Sequence, residues 1–140
     1  MMYNKSMQVI SKNQKETEQI AFDYAKTLSK GDIVILSGDL GAGKTHFVKG
    51  VARYFGLEGV TSPTYAYLNI YGNLLYHYDC YRLSCGEDAE RLGLTDYFNG
   101  DNICLIEWAE NIEDALPENI KKVIIEKTSE NERIITLWTI

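Results

Sequence analysis

The chain has 140 residues, 45% of them hydrophobic and 24% charged, with a net charge of −6 at pH 7. That length fits one domain spanning 1–140 with a proper core and leaves no room for a second full domain beside a ligand site, and no apolar run is long enough to cross a bilayer. The acidic balance repels nucleic-acid phosphates, so no strong direct nucleic-acid binding is expected and any nucleic acid should be reached through a partner.

The first residues, Met1-Met2-Tyr3-Asn4-Lys5, lead into polar residues rather than an apolar signal core, so a cytoplasmic protein is expected. Cys80, Cys85 and Cys104 make an odd count without a C-x-x-C pair or a histidine at metal-ligand spacing. Reduced structural thiols are the expected state, with pairing of Cys80 and Cys85 open only under oxidation.

In chain order, Met7-Gln8-Val9-Ile10 predicts a short edge strand. Ser11 to Gln14 offers capping chemistry, and Thr17, Ile20, Ala21, Tyr24, Ala25 and Leu28 then recur at helical spacing. This amphipathic helix is expected to end near Ser29-Lys30-Gly31, with Gly31 in the left-handed cap. Asp32 opens the apolar strand Ile33-Val34-Ile35-Leu36, which runs through Ser37 into Gly38-Asp39-Leu40-Gly41-Ala42-Gly43-Lys44-Thr45. That run is a complete G-x-x-x-x-G-K-S/T pattern between a strand and a helix, the helix continuing from His46 to Arg53. Glycines at 38, 41 and 43 let the backbone curl around an anion with its N–H groups turned inward, and the following helix adds its positive end. Lys44 is a point charge for the β and γ phosphates, and Thr45 brings a hydroxyl to a Mg²⁺ ion. The plain alternative is a glycine-rich turn with an ordinary surface lysine.

Beyond Gly56 and Gly59, the stretch Val60-Thr61-Ser62-Pro63-Thr64-Tyr65 is either a loop entering a strand or a loop whose hydroxyls answer to the γ-phosphate. Tyr65 to Tyr71 and Leu74 to Asp79 predict a hairpin around a two-residue turn at Gly72-Asn73. Alternation places His77 and Asp79 on one face and the tyrosines on the other, so Asp79 is either a metal ligand or part of a solvated face. Arg82 either offsets phosphate charge or pairs with a carboxylate. Glu87 to Leu92 reads as a short acidic helix stopped by Gly93, with Leu94, Tyr97 and Phe98 packing back on the core. Ile103-Cys104-Leu105-Ile106 is a buried strand ending in Glu107, an acidic residue placed to hold the metal shell or orient water, without the aspartate that usually precedes it. Trp108 beside it either gates the pocket or packs in the core. A short helix from Asn111 to Leu116, halted by Pro117, and strands at Lys121 to Lys127 and Arg133 to Ile140 complete the chain.

Four stretches together, Gly38 to Thr45, Ser62-Pro63-Thr64-Tyr65, His77-Tyr78-Asp79-Cys80-Tyr81-Arg82 and Leu105-Ile106-Glu107-Trp108, resemble the bacterial TsaE (YjeE) ATPases over nearly the whole chain. The resemblance implies a small P-loop-NTPase-like α/β sheet, mostly parallel at its centre with antiparallel hairpin strands and flanked by helices, that binds ATP and Mg²⁺. It further implies action on TsaB and TsaD type proteins in making threonylcarbamoyladenosine on tRNAs that read codons beginning with A, through an ATPase that is weak alone and dependent on its partners. Carried over by motif, Asp39, Leu40, Gly41, Ala42, Gly43, Lys44, Thr45 and His46 would hold the nucleotide. Thr45, Asp79 and Glu107 would lie in the Mg²⁺ shell, and Glu107, Lys44 and Asp79 would carry catalysis. Thr61, Ser62 and Thr64 would form a switch-like loop. His46 departs from the second Thr or Ser the family often has there. Two rivals stay open: a small-molecule kinase, and a nucleotide-gated scaffold that does not need hydrolysis.

Overall fold

The alternating strand and helix patterns become β1 (Lys5–Ser11), α1 (Gln14–Ala25), β2 (Ile33–Ser37), α2 (Lys44–Tyr54), β3 (Leu68–Tyr71), β4 (Leu75–Asp79), α3 (Gly86–Arg91), β5 (Ile103–Glu107), β6 (Lys121–Lys127) and β7 (Arg133–Thr139), with 3₁₀ turns at Leu94–Tyr97 and Ala109–Ala115. These come from a computed structural model, which describes residues 5–39, 41–61 and 66–139. Leu40, the stretch Ser62-Pro63-Thr64-Tyr65, Ile140 and the first four residues, on which some of the expectations above fall, lie outside the described residues.

The strands form one sheet in the order β1-β7-β6-β2-β5-β4-β3. Pairing is parallel among β6, β2, β5 and β4, and antiparallel where β1 meets β7, β7 meets β6 and β3 meets β4. This is the predicted α/β arrangement, a P-loop-NTPase-like sheet with a parallel centre. β5, at the centre, is buried at all five positions, as a parallel strand covered on both faces should be. On one face Val34, Leu36, Leu105, Val123 and Ile135 pack against Ala21, Tyr24 and Ala25 of α1 and Phe47, Val48 and Val51 of α2. On the other, Ile33, Tyr78, Cys104 and Ile106 meet Ala89, Leu94, Ala109 and Ile112. Each fully buried side chain of this size contributes roughly 1.5–3 kcal/mol.

Two expectations need correction. Helix α1 stops at Ala25 although its apolar spacing runs on to Leu28. The backbone tightens into three-residue bonds, Thr27 N–H to Tyr24 O (2.9 Å) and Leu28 N–H to Ala25 O (3.0 Å), and the Thr27 hydroxyl donates to Tyr24 O at 2.8 Å. Gly31 is left-handed, at φ +97°, but serves the turn into β2 rather than the helix cap, which is Lys26. The hairpin connection has three residues, not two: Tyr71 is in register with Leu75, and Gly72 and Asn73 both have positive φ. Leu74 is the extra residue, its N–H closing the turn onto Tyr71 O at 3.1 Å.

Candidate functional site

Parallel strands that end side by side gather residues remote in sequence, and ligands of such sheets bind beyond those carboxyl ends. Here Glu107 ends β5 with Leu36 of β2 as its register partner on one side and Asp79 of β4 on the other. Beyond them opens a cavity of about 1230 Å³, lined by Asp39, Gly41, Ala42, Gly43, Lys44, Thr45, His46, Asp79 and Glu107, among others. Within the described residues, every one expected to hold nucleotide or metal or to carry catalysis lines this one cavity, whereas Thr61 and Arg82 are not among its lining residues.

The loop owes its shape to glycine at the positions the motif prescribes. Gly41 and Gly43 take φ of +81° and +105°, a region L side chains avoid, and Gly43 is the N-cap of α2. Gly38 passes so close to β6 that a Cβ there would meet Ile125 O at 2.7 Å. The Ala42 N–H closes a tight turn onto Asp39 O at 2.9 Å. The N-terminal end of α2 thus opens on the cavity with the partial positive charge of its first turn.

Lys44 Nζ lies 3.5 Å from Glu107 Oε1 and 5.2 Å from the centre of the Trp108 ring. The other carboxylate oxygen, Oε2, accepts from His77 Nε2 at 2.5 Å, and the His77 ring is fully buried. Glu107 is 7% exposed. Burial pushes its carboxyl up, but the His77 bond and Lys44 more than offset that and hold it below the usual carboxylate range. His77 and Asp79 do alternate onto the same face, with Tyr78 turned to the opposite core layer. The solvated-face alternative does not describe His77, whose Nδ1 is buried without a hydrogen-bond partner. Asp79 Oδ1 accepts from the Tyr81 N–H at 3.0 Å.

His46 lines the cavity while its Nδ1 meets Glu18 Oε2 of α1 at 2.9 Å, so the neighbouring helix orients the ring. Trp108 sits at φ +58°, a strained backbone for a bulky residue. Half-buried, it both packs on the second core layer and walls the cavity, with Tyr81 edge-on at 4.9 Å. Sequence reading missed Arg133 altogether. From the start of β7 its Nε donates to Ala42 O at 2.8 Å and its Nη2 to Gly41 O at 3.2 Å. It likewise missed the start of α1, Asn13 to Lys15 with Thr17, and the Glu130-Asn131 turn, all of which line the cavity. The Arg133 contacts join segments about ninety residues apart, and no local pattern announces any of these neighbours.

Among the described residues no group of three or more His, Cys, Asp or Glu side chains is placed to hold a metal by itself. The Thr45 hydroxyl with the Asp79 and Glu107 carboxylates is nonetheless an all-oxygen set, which suits Mg²⁺, an ion commonly held by one or two carboxylates and completed by phosphates. The donors are unequal: both Glu107 oxygens already have side-chain partners, whereas Asp79 is held through Oδ1 by the Tyr81 N–H. Also among the described residues, no helix is long and apolar enough to cross a membrane.

Sheet, glycine loop and cavity together define a small α/β protein with a P-loop-NTPase-like fold. A family model described as the threonylcarbamoyl adenosine biosynthesis protein TsaE matches residues 11–135, and the chain belongs to that family. It is 41% identical over 132 residues to the tRNA threonylcarbamoyladenosine biosynthesis protein TsaE of Bacillus subtilis, covering 91% of this chain and 82% of that one. To the protein of the same name from Treponema pallidum it is 37% identical over 134 residues, 94% of this chain and 99% of the other. The crystal structure of Bacillus subtilis YdiB matches with a TM-score of 0.81 at 37% identity, over 99% of this chain and 88% of that one.

Proposed function

We propose that this protein binds ATP with Mg²⁺ at the Gly38–Thr45 loop and hydrolyses it slowly alone, the hydrolysis serving threonylcarbamoyladenosine formation on tRNA through a complex of the TsaB and TsaD type. The observation that carries the reading is the pairing, in one cavity, of the glycine loop at the head of α2 with an ionised, buried Glu107 held against Lys44. Bound ATP supplies the phosphoryl group to be cleaved, and Mg²⁺ neutralises charge on its phosphates.

The roles proposed for the chain's own residues start from that arrangement. The first-turn N–H groups of α2 and Lys44 Nζ bind phosphate oxygens, and Lys44 leaves Glu107 to do so. Thr45 and Asp79 would hold the cation. Glu107, freed on one oxygen and fixed on the other by His77 Nε2–H, accepts a hydrogen bond from the attacking water and orients it, beside the metal shell. The half-buried Trp108 walls that side. The names of the relatives, tRNA threonylcarbamoyladenosine biosynthesis proteins, support the assignment to that process.

The test is ATP hydrolysis by the chain alone and with TsaB and TsaD type proteins, joined to mass analysis of tRNA nucleosides from cells lacking it. Lys44→Ala should abolish nucleotide binding, while Glu107→Ala should bind and lose turnover by about 10²-fold or more. Unchanged hydrolysis in both variants refutes the assignment. ATP consumption stimulated by a metabolite instead of protein points to a kinase, and Glu107→Ala that still supports tRNA modification points to a scaffold.

A further inference from the structure

Arg133 opens β7, far from the glycine loop in sequence, yet its guanidinium is spent on backbone carbonyls of two segments that both border the cavity. Nε–H donates to Ala42 O at 2.8 Å and Nη2 to Gly41 O at 3.2 Å. Nη1 donates to Ser129 O at 3.1 Å, Glu130 O at 3.3 Å and Glu132 O at 3.0 Å in the β6–β7 turn. A guanidinium is a flat fork of five N–H donors, and these five acceptors are all peptide oxygens. Its positive charge therefore stays in place beside the loop.

The consequence follows from peptide planarity. In a trans peptide the carbonyl and the next N–H point in opposite directions, so drawing Ala42 O toward the guanidinium turns the Gly43 N–H away from it. Gripping two successive carbonyls from one side also keeps oxygen lone pairs, which would repel an anion, on that side. Gly43 at φ +105° completes the curl, and a Cβ there would lie 4.0 Å from Arg133 Nε. A lysine's single ammonium cannot reproduce the flat fork that reaches the loop carbonyls on one side and the turn carbonyls on the other.

We propose that Arg133 is a positioning residue for the phosphate loop: it holds the Gly41 and Ala42 carbonyls aside so that the loop stands ready for a di- or triphosphate, and it ties the Ser129–Glu132 turn to that loop as a second wall of the same site. This inference rests on the ATP reading above and names a residue that reading does not use.

The experiment compares wild type, Arg133→Lys and Arg133→Ala as full chains. It measures binding of ATP, ADP and inorganic pyrophosphate by calorimetry, KM and kcat for ATP, and melting without nucleotide. Loss of two charge-assisted bonds to the loop should weaken all three anions by about tenfold or more in both variants, raising KM far more than it lowers kcat. Ethylguanidinium added to Arg133→Ala should restore part of the affinity, a rescue that general loss of stability does not permit. Arg133→Lys binding as tightly as wild type overturns the proposal, because charge alone would then suffice. Weakened binding in Arg133→Ala that only tracks a lowered melting point, with no rescue, also overturns it. Wild type that binds none of the three anions overturns the ATP reading and this inference together; wild-type binding that both variants retain overturns this inference alone.

Discussion

Glu107 is the least replaceable side chain of the cavity because its burial demands partners. A carboxylate taken out of water loses several kcal/mol of hydration, and here, among the described residues, the His77 imidazole and the Lys44 ammonium offset it. The cysteines show the same physics without a partner. Burial pushes the Cys80 thiol from its ordinary 9.0 up to about 12 and that of Cys104 up to about 11. Both stay protonated and unreactive near neutrality, whereas Cys85 is only half-buried and all three are free. A thiol-labelling reagent at pH 8 should therefore modify Cys85 first, and Cys80 and Cys104 only on unfolding. The sign of the linkage is fixed as well: a folded-state pKa above the unfolded one gives stability that is full below about pH 9 and is lost as pH rises toward 11 and 12. Urea midpoints should fall over that range, and less so in Cys80→Ser. A flat alkaline profile contradicts this account.

Helices α1 and α2 approach more closely than side chains would allow, and Gly50 is the reason. A Cβ at that position would lie 2.1 Å from Glu18 O and 2.7 Å from Ala21 Cβ, and a helix backbone cannot yield that much. Gly50→Ala should therefore destabilise by about 2 kcal/mol, about 6 °C in melting temperature, despite alanine's better helix propensity. A raised melting temperature would refute the close-contact argument. The elements themselves were legible in the amino-acid sequence wherever a local period or motif specified them: the central strands, α2, the hairpin and the glycine loop. What escaped was set by partners distant in sequence. The Thr27 hydroxyl and the tightening backbone decided where α1 stops, an added Leu74 shifted the hairpin register, and nothing near Arg133 or Glu18 marks either as a neighbour of residues 41–46. The candidate site was legible in its glycine-loop half, which is one motif, and in the two acids that strand ends present. Its second wall, from α1 and the β6–β7 turn, exists only after folding.

At the scale of the whole molecule the two halves of the cavity have different mechanical footings. The loop side hangs on α2, Arg133 and the turn before β7. The acidic side consists of the last residues of β4 and β5, two of the paired strands at the parallel centre of the sheet, with Asp79 and Glu107 directly opposite each other. Strands there are about 4.8 Å apart by hydrogen bonding alone, so the spacing of the two carboxylate-bearing backbones is a property of the sheet and not of any loop. The acidic half therefore has no melting transition of its own. It can open only when β4 and β5 separate, and in urea the loss of the proposed Glu107-dependent hydrolysis should share its midpoint with the loss of far-ultraviolet ellipticity. A separate, earlier midpoint would mean that these strand ends fray by themselves. Such a site takes its stiffness from topology: an effector has the loop, the turn or Trp108 to act on, because the spacing of the two acids is set by paired strands.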